Sequence, residues 1–184
     1  MAEKKNLHRI FIAIEFPDEV ISEVARVQEI LETRNFIGKM TELENLHLTL
    51  KFLGEVEDEK LEKIKKALSE IEFSGFEMRL EKIGCFNYHG KPRIVWIKVA
   101  GKGLYDLQNK IDQKLEKLDF KMEERFMSHM TIGRIRYVKD NKDFIDYANN
   151  IALKEIKFKV GEFKLKESEL RVLGPVYTDI KIYS

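Results

Sequence analysis

Over Leu46–Leu53 the chain alternates as far as Phe52, with Leu46, Leu48, Leu50 and Phe52 apolar and His47, Thr49 and Lys51 polar. A period of two is the mark of a half-buried strand, and Gly54 is expected to end it. The same period predicts a first strand over His8–Phe16. There Ile10, Ile12, Ile14 and Phe16 share one face, and Arg9, Phe11, Ala13 and Glu15 share a mixed one. Pro17 and Asp18 then open a helix reaching to near Asn35, with a stripe of Val20, Val24, Val27 and Leu31. A second amphipathic helix is predicted over Glu57–Glu72, through Leu61, Ile64 and Leu68. Two strands, Phe76–Phe86 and Arg93–Val99, flank the turn-rich NYHGKP. A helix over Leu104–Leu118, a strand over Met127–Tyr137 and a short helix near Lys142–Asn150 follow. Strands over Ile156–Phe163, Lys164–Leu173 and Tyr177–Tyr183 close the chain.

The order of elements suggests a duplication. Each half offers an outer strand, a helix, and a strand carrying His-x-Thr: His47–Thr49 in the first, His129–Thr131 in the second. The expected fold is α+β, with two pseudo-symmetric lobes of antiparallel-rich sheet and outer helices around a central cleft. No linker divides the 184 residues, which are expected to form one bilobal domain.

Composition narrows the chemistry. With 43% hydrophobic residues the chain can build a core. A formal charge of +1 gives no global field for wrapping long nucleic acid, so such a partner would be gripped locally. One cysteine, Cys85, excludes an intramolecular disulfide and a four-cysteine zinc site, and fits a reduced cytoplasm. The N-terminus lacks a signal-like cleavage pattern, and its apolar run is too short to span a bilayer.

Residues two apart on a strand point the same way, about 6.5–7 Å apart. His47 and Thr49 therefore share a face, as do His129 and Thr131, while Leu48 and Met130 anchor each strand behind them. If the halves face each other, one cleft holds two imidazoles and two hydroxyls. That set suits phosphoryl transfer without a metal: one imidazole takes a proton from water and the other protonates the leaving alkoxide. Each step contributes roughly 10²–10⁴ in rate. A single His-x-Thr is more often a half-buried structural pair, and the weight lies in the repetition. No HExxH or carboxylate cluster marks a metal site.

Five segments carry a family resemblance. RIFIAIEFP (Arg9–Pro17), ENLHLTLKFLGEV (Glu44–Val56), PRIVWIKV (Pro92–Val99), SHMTIGRIR (Ser128–Arg136) and ESELRVLGPVY (Glu167–Tyr177) resemble, in order, the RNA 2′,3′-cyclic phosphodiesterases of the two-histidine phosphoesterase superfamily. That group was long labelled 2′-5′ RNA ligase. The resemblance implies hydrolysis of a 2′,3′-cyclic phosphate to a 2′-phosphomonoester without metal or other cofactor. It implies His47 as general acid, His129 as general base, Thr49 and Thr131 as phosphate ligands, and Arg134 as an anion contact. Many relatives place proline where this chain has Ser128. The expected partner is an RNA 3′ end or a nucleotide cyclic phosphate, with no membrane and a monomeric state. Two alternatives remain: RNA end joining by the same site, and a non-catalytic module that binds terminal phosphates.

Other residues are weaker candidates. Strict alternation puts Arg134 on the core face, and a bulge near Gly133 is needed to redirect it. Phe11 on its mixed strand face is a candidate for stacking on a base, and Tyr88 in its loop for lining the cleft. Trp96, Cys85, Arg93 and Arg136 read as structural or rim residues, and Gly101–Gly103 lacks the phosphate-loop spacing.

Overall fold

The computed structural model describes residues 6–172 and 174–184. Nine strands alternate with four helices among them: β1 (Leu7–Glu15), α1 (Asp18–Glu32), β2 (Phe36–Met40), β3 (His47–Glu57), α2 (Asp58–Ser69), β4 (Phe76–Tyr88), β5 (Lys91–Ala100), α3 (Lys102–Glu116), β6 (His129–Val138), α4 (Asn141–Asn149), β7 (Lys157–Val160), β8 (Phe163–Arg171) and β9 (Gly174–Tyr183). The expected strand end at Leu173 lies outside the described residues.

The strands run in the order β7-β4-β5-β6-β3-β1-β8-β9, all pairs antiparallel, with β2 added to β6. This is the expected α+β architecture, and the two lobes are visible in the pairing. Between β3 and β6 one residue pair, Leu48 with Met130, makes the junction. A first lobe, β3-β1-β8-β9, thus meets a second, β7-β4-β5-β6-β2, at the two strands that carry the repeated motif.

Helices cover one side of each lobe. Helix α2 lies on β1, β3 and β9, α3 on β3 and β4, α1 on β6, and α4 on β4 and β5. Helix α1 follows a first-lobe strand but packs on the second lobe, where Gln28 Nε2 donates to the Ile132 carbonyl at 2.9 Å. The core under these helices includes Ile10, Ile12, Ile14, Leu48, Leu50, Ile97, Met130 and Ile132. Burying each such side chain stabilises the fold by about 1.5–3 kcal/mol. The opposite side of the sheet is left for chemistry.

Two local departures from the sequence reading have clear causes. Gly54 does not end β3. Its φ of 75° absorbs a bulge at Leu53, since Ile10 pairs with Gly54 and Phe11 with Phe52, and the strand continues to Glu57. Strand β2, read as loop, carries no alternation; its middle residues are exposed and only its ends are half buried. Pairing with β6 creates it, and Gly38 permits the approach, because a Cβ there would lie 2.3 Å from the Arg134 carbonyl.

A polar clamp ties β1, α2 and β8 at the far end of the first lobe. His8 bridges Asp58 through Nε2 and Glu167 through Nδ1, both at 2.8 Å. Those hydrogen bonds, Asp58 first, raise the His8 pKa above its ordinary 6.5. A raised histidine pKa adds stability that is full below the unfolded value and is lost as pH rises through the folded value. Replacing His8 by Gln should therefore lower the melting temperature at pH near 6 and leave it nearly unchanged near pH 9. Added salt should shrink the gap at the lower pH.

Candidate active site

The two His-x-Thr pairs meet where the lobes join. Leu48 and Met130 are paired and both point into the core, so His47, Thr49, His129 and Thr131 project from the opposite side. In the antiparallel arrangement His47 neighbours Thr131 and Thr49 neighbours His129. The histidines are diagonal neighbours, with backbone spacing of about 7–8 Å. All four side chains line one cleft of about 570 Å³.

Each imidazole is anchored in the same way. His47 Nδ1 lies 2.7 Å from the Asn45 carbonyl, and His129 Nδ1 lies 2.8 Å from the Met127 carbonyl. A carbonyl only accepts, so Nδ1 carries the hydrogen in both rings. In the neutral form each Nε2 then presents a lone pair to the cleft. Thr49 Oγ1 is 3.1 Å from His47 Nε2 and donates to it. A second proton on Nε2 converts either ring from base to acid.

Their surroundings differ. The His47 ring packs against Phe11 and Tyr177, with centroids 4.9 and 5.2 Å away. Burial lowers its pKa; the Asn45 carbonyl opposes this, Lys166 and Arg134 lower it further, and Glu15 raises it. His129 meets Phe86 edge-on at 5.1 Å.

Matching bulges shape the cleft walls. In β3, Ile12 pairs with Lys51 and Ala13 with Thr49, leaving Leu50 as an extra residue. In β6, Val95 pairs with Gly133 and Trp96 with Thr131, leaving Ile132 as an extra residue. Both strands therefore run half-buried, buried, half-buried, then two buried residues in succession, before an exposed one. The exposed residue is Phe52 in the first copy and Arg134 in the second, and both line the cleft. The bulge beside Gly133 is what turns Arg134 out of the core and into the cleft. A Cβ on Gly133 would sit 2.7 Å from Met40 Sδ, so glycine lets β2 close over the bulge.

Phe52 is a correction: strict alternation put it in the core, whereas it is 55% exposed in the cleft with the Arg9 guanidinium 5.3 Å from its ring centre. Phe11 lines the cleft but is only 3% exposed, its ring against His47 and Tyr177. It supports the imidazole and has no open face for a base. Tyr88 is 65% exposed with its ring against His89, and it is not brought to the cleft. Tyr177 went unnoticed as a site residue, although its segment was read as a motif. Overlaying the two copies at His-x-Thr would have revealed Phe52, because it stands where Arg134 stands. Ser128 is buried, and its hydroxyl donates to the Val99 carbonyl at 2.7 Å, fixing the chain before His129 as a proline would by its ring. Burial pushes the Cys85 thiol up to about 11, so it is a poor nucleophile. Among the described residues no group of three or more His, Cys, Asp or Glu could hold a metal ion.

Comparison with known proteins agrees with the duplication. The family described as LigT like phosphoesterase matches residues 14–96 and again residues 97–177. The chain belongs to this family. An RNA 2′,3′-cyclic phosphodiesterase of Archaeoglobus fulgidus is 36% identical over 177 residues, covering 95% of this chain and 99% of the relative. One from Methanocaldococcus jannaschii is 35% identical, covering 94% and 98%. Among solved structures, Thermus thermophilus TT0787 superposes with a TM-score of 0.83 at 27% identity, covering 96% of this chain and 97% of that one. Escherichia coli LigT complexed with 3′-AMP shares the fold at a TM-score of 0.77 and 24% identity, covering 97% and 98%. The two matched segments of this LigT-like chain each contain one His-x-Thr strand, and the second begins inside β5 as the first begins inside β1.

Proposed function

We propose that this chain hydrolyses the 2′,3′-cyclic phosphate of an RNA end or nucleotide to a 2′-phosphomonoester, without a metal. The observation that carries the reading is the pair of Nδ1-anchored imidazoles that present Nε2 to one cleft. The names of the archaeal relatives support the substrate class. His129 Nε2 takes a proton from water as its oxygen attacks phosphorus. The P–O3′ bond breaks on the opposite side, and His47 Nε2–H protonates the departing O3′. Thr49, Thr131 and Arg134 hold the non-bridging oxygens as charge builds on them. Phe52 offers its open ring face to the nucleobase. The site is complete within one chain, in keeping with a monomer. Among the described residues no helix is long and apolar enough to cross a membrane, and the cytoplasm is the proposed location.

The test is an oligonucleotide ending in a 2′,3′-cyclic phosphate, incubated in EDTA between about pH 5 and 8. Conversion to the 2′-phosphate is expected; no conversion anywhere in that range removes the reading. Joining of two RNA halves instead of hydrolysis would favour the end-joining alternative.

Two further results are expected. Burial depresses His47, yet the acid role needs it protonated, and a bound phosphodiester anion favours that proton. The alkaline limb of kcat/KM, which reports free enzyme, should therefore lie at lower pH than that of kcat. Coincident limbs would contradict the assignment. Replacing Phe52 by Ala should remove a stacking contact of about 1–3 kcal/mol and lower kcat/KM on cyclic nucleotides roughly ten-fold. Steady-state kinetics on a cyclic phosphate lacking a base should show no such loss.

A further inference from the structure

The helix-free side of the second lobe extends the cleft, and its charge and surface differ from those of the first lobe. Cross-strand rows run outward from the catalytic strand: Lys98 and Lys82 beside His129, Trp96 and Gly84 beside Thr131, Ile94 and Phe86 beside Arg134. Trp96 lies flat on the sheet, since a Cβ on Gly84 would meet its ring at 2.3 Å. Phe86 touches both Trp96, at 5.4 Å, and His129, at 5.1 Å. Half-exposed aromatic faces thus continue from the imidazole across the sheet, and exposed Tyr88 lies at the end of β4 beyond Phe86.

Cations border this strip. Lys157 and Lys159 on β7 stand exposed on the same side, because Phe158 and Val160 point into the core. Lys82 is exposed beside Gly84 and Trp96, and Arg93 donates to the Arg136 carbonyl at 2.9 Å. Glu81 pairs with Arg79 and Lys98, and Glu77 stands opposite Lys159 across β4 and β7, which leaves Lys82 and Lys157 as the surplus of positive charge. In the first lobe the corresponding side is neutralised: Lys164 and Lys166 both bond Glu15 and Asp179 in a closed ring. On a chain whose formal charge is only +1, concentrating cations and aromatics on one lobe, next to one histidine, is a local grip on a polyanion with bases.

We propose that this surface binds single-stranded RNA on the 5′ side of the nucleotide that carries the cyclic phosphate. The chain is then a reader of RNA ends in preference to free nucleotides. The inference rests on the reading of the cleft as a cyclic phosphodiesterase. Bases stack on Trp96, Phe86 and Tyr88 without sequence preference, and Lys82, Lys157 and Lys159 follow the phosphates. Affinity conferred by such contacts falls with added salt.

Trp96 is the chain's one tryptophan, so intrinsic fluorescence reports on this surface directly. An oligonucleotide of about ten residues ending in a 2′-phosphate should quench it and bind at least ten-fold tighter than the 2′-mononucleotide. Equal affinity and equal spectra for the two ligands would overturn the proposal. In kinetics, the double variant Lys82→Glu with Lys159→Glu should lower the ratio of oligonucleotide to mononucleotide kcat/KM about ten-fold and flatten its salt dependence. An unchanged ratio also overturns it. Failure to turn over either substrate would instead strike the parent reading, so the two failures are distinguishable.

Discussion

Replacing His129 by Ala, or His47 by Ala, should lower kcat on a cyclic nucleotide by about 10²–10⁴ while the fold stays intact. The fold should survive because the strands are held from the other side. Leu48 and Met130 are buried and paired, and each imidazole bonds a carbonyl two residues before it, with the Thr49 hydroxyl added at His47 Nε2. Circular dichroism and the melting temperature should match the parent. The double variant should lose little more than either single one, since groups acting in one concerted step are not additive. The roles can be separated. A phosphodiester with a good leaving group, such as a p-nitrophenolate, needs no proton from an acid. It should restore much of the activity of His47→Ala and none of that of His129→Ala. Rescue of the His129 variant instead would exchange the two roles, and full activity of either single variant on the cyclic substrate would remove the mechanism.

The largest stability effect is expected at Asp112. Lys51 is 6% exposed and Asp112 is 1% exposed, and their side chains form an ion pair inside the first lobe. Asp112 also accepts from Gln108 Nε2 and from the Glu123 amide, both at 2.8 Å, while Lys51 donates to the Lys121 carbonyl at 2.6 Å. Replacing Asp112 by Ala leaves a buried ammonium without its counter-charge. The expected cost is about 3–5 kcal/mol, read from the midpoint of urea unfolding. Replacing the pair by Met and Leu together should recover most of the loss, because the desolvation of both charges disappears with them. The pair also bears on the site. Lys51 points into the core only because of the bulge at Leu50, and the same bulge turns Phe52 to the cleft. Where Asp112→Ala still folds, KM for nucleotides should rise as that bulge loosens. A loss under 1 kcal/mol would show that the ammonium escapes to water and that the pair does not hold the strand.

Much of this was legible in the chain, and the limits were set by backbone irregularity. Alternation around Leu46–Leu50 and Met130–Ile132 located the two strands, and the identical spacing of His and Thr carried the pairing of the lobes. Period-two reasoning holds only until a strand gains a residue. Beyond Leu50 the phase reverses, and Phe52 passes from core to cleft. Beyond Ile132 the same reversal exposes Arg134; Gly133 offered a place for the bulge that this needs, while the expectation of an anion contact at Arg134 came from the family resemblance. Leu50 and Lys51 bear no such mark, as neither is a glycine. Phe11 was legible as a residue on the cleft side, but not that Tyr177, far along the chain, would cover it beside His47. Tyr88 lies on the correct side of the sheet, beyond the cleft itself. Strand β2 was illegible because its hydrogen bonds to β6, and not its own residues, make it a strand.

The most direct test of the site is the crystal structure of the protein with a nucleoside 2′,3′-cyclic vanadate, whose five-coordinate vanadium mimics in-line attack. The account predicts His129 Nε2 at hydrogen-bond distance from one apical oxygen and His47 Nε2 at the same distance from the opposite one, with Arg134 on the equatorial oxygens. Both imidazoles on the same side of the metal centre, or either one turned away from it, would contradict it.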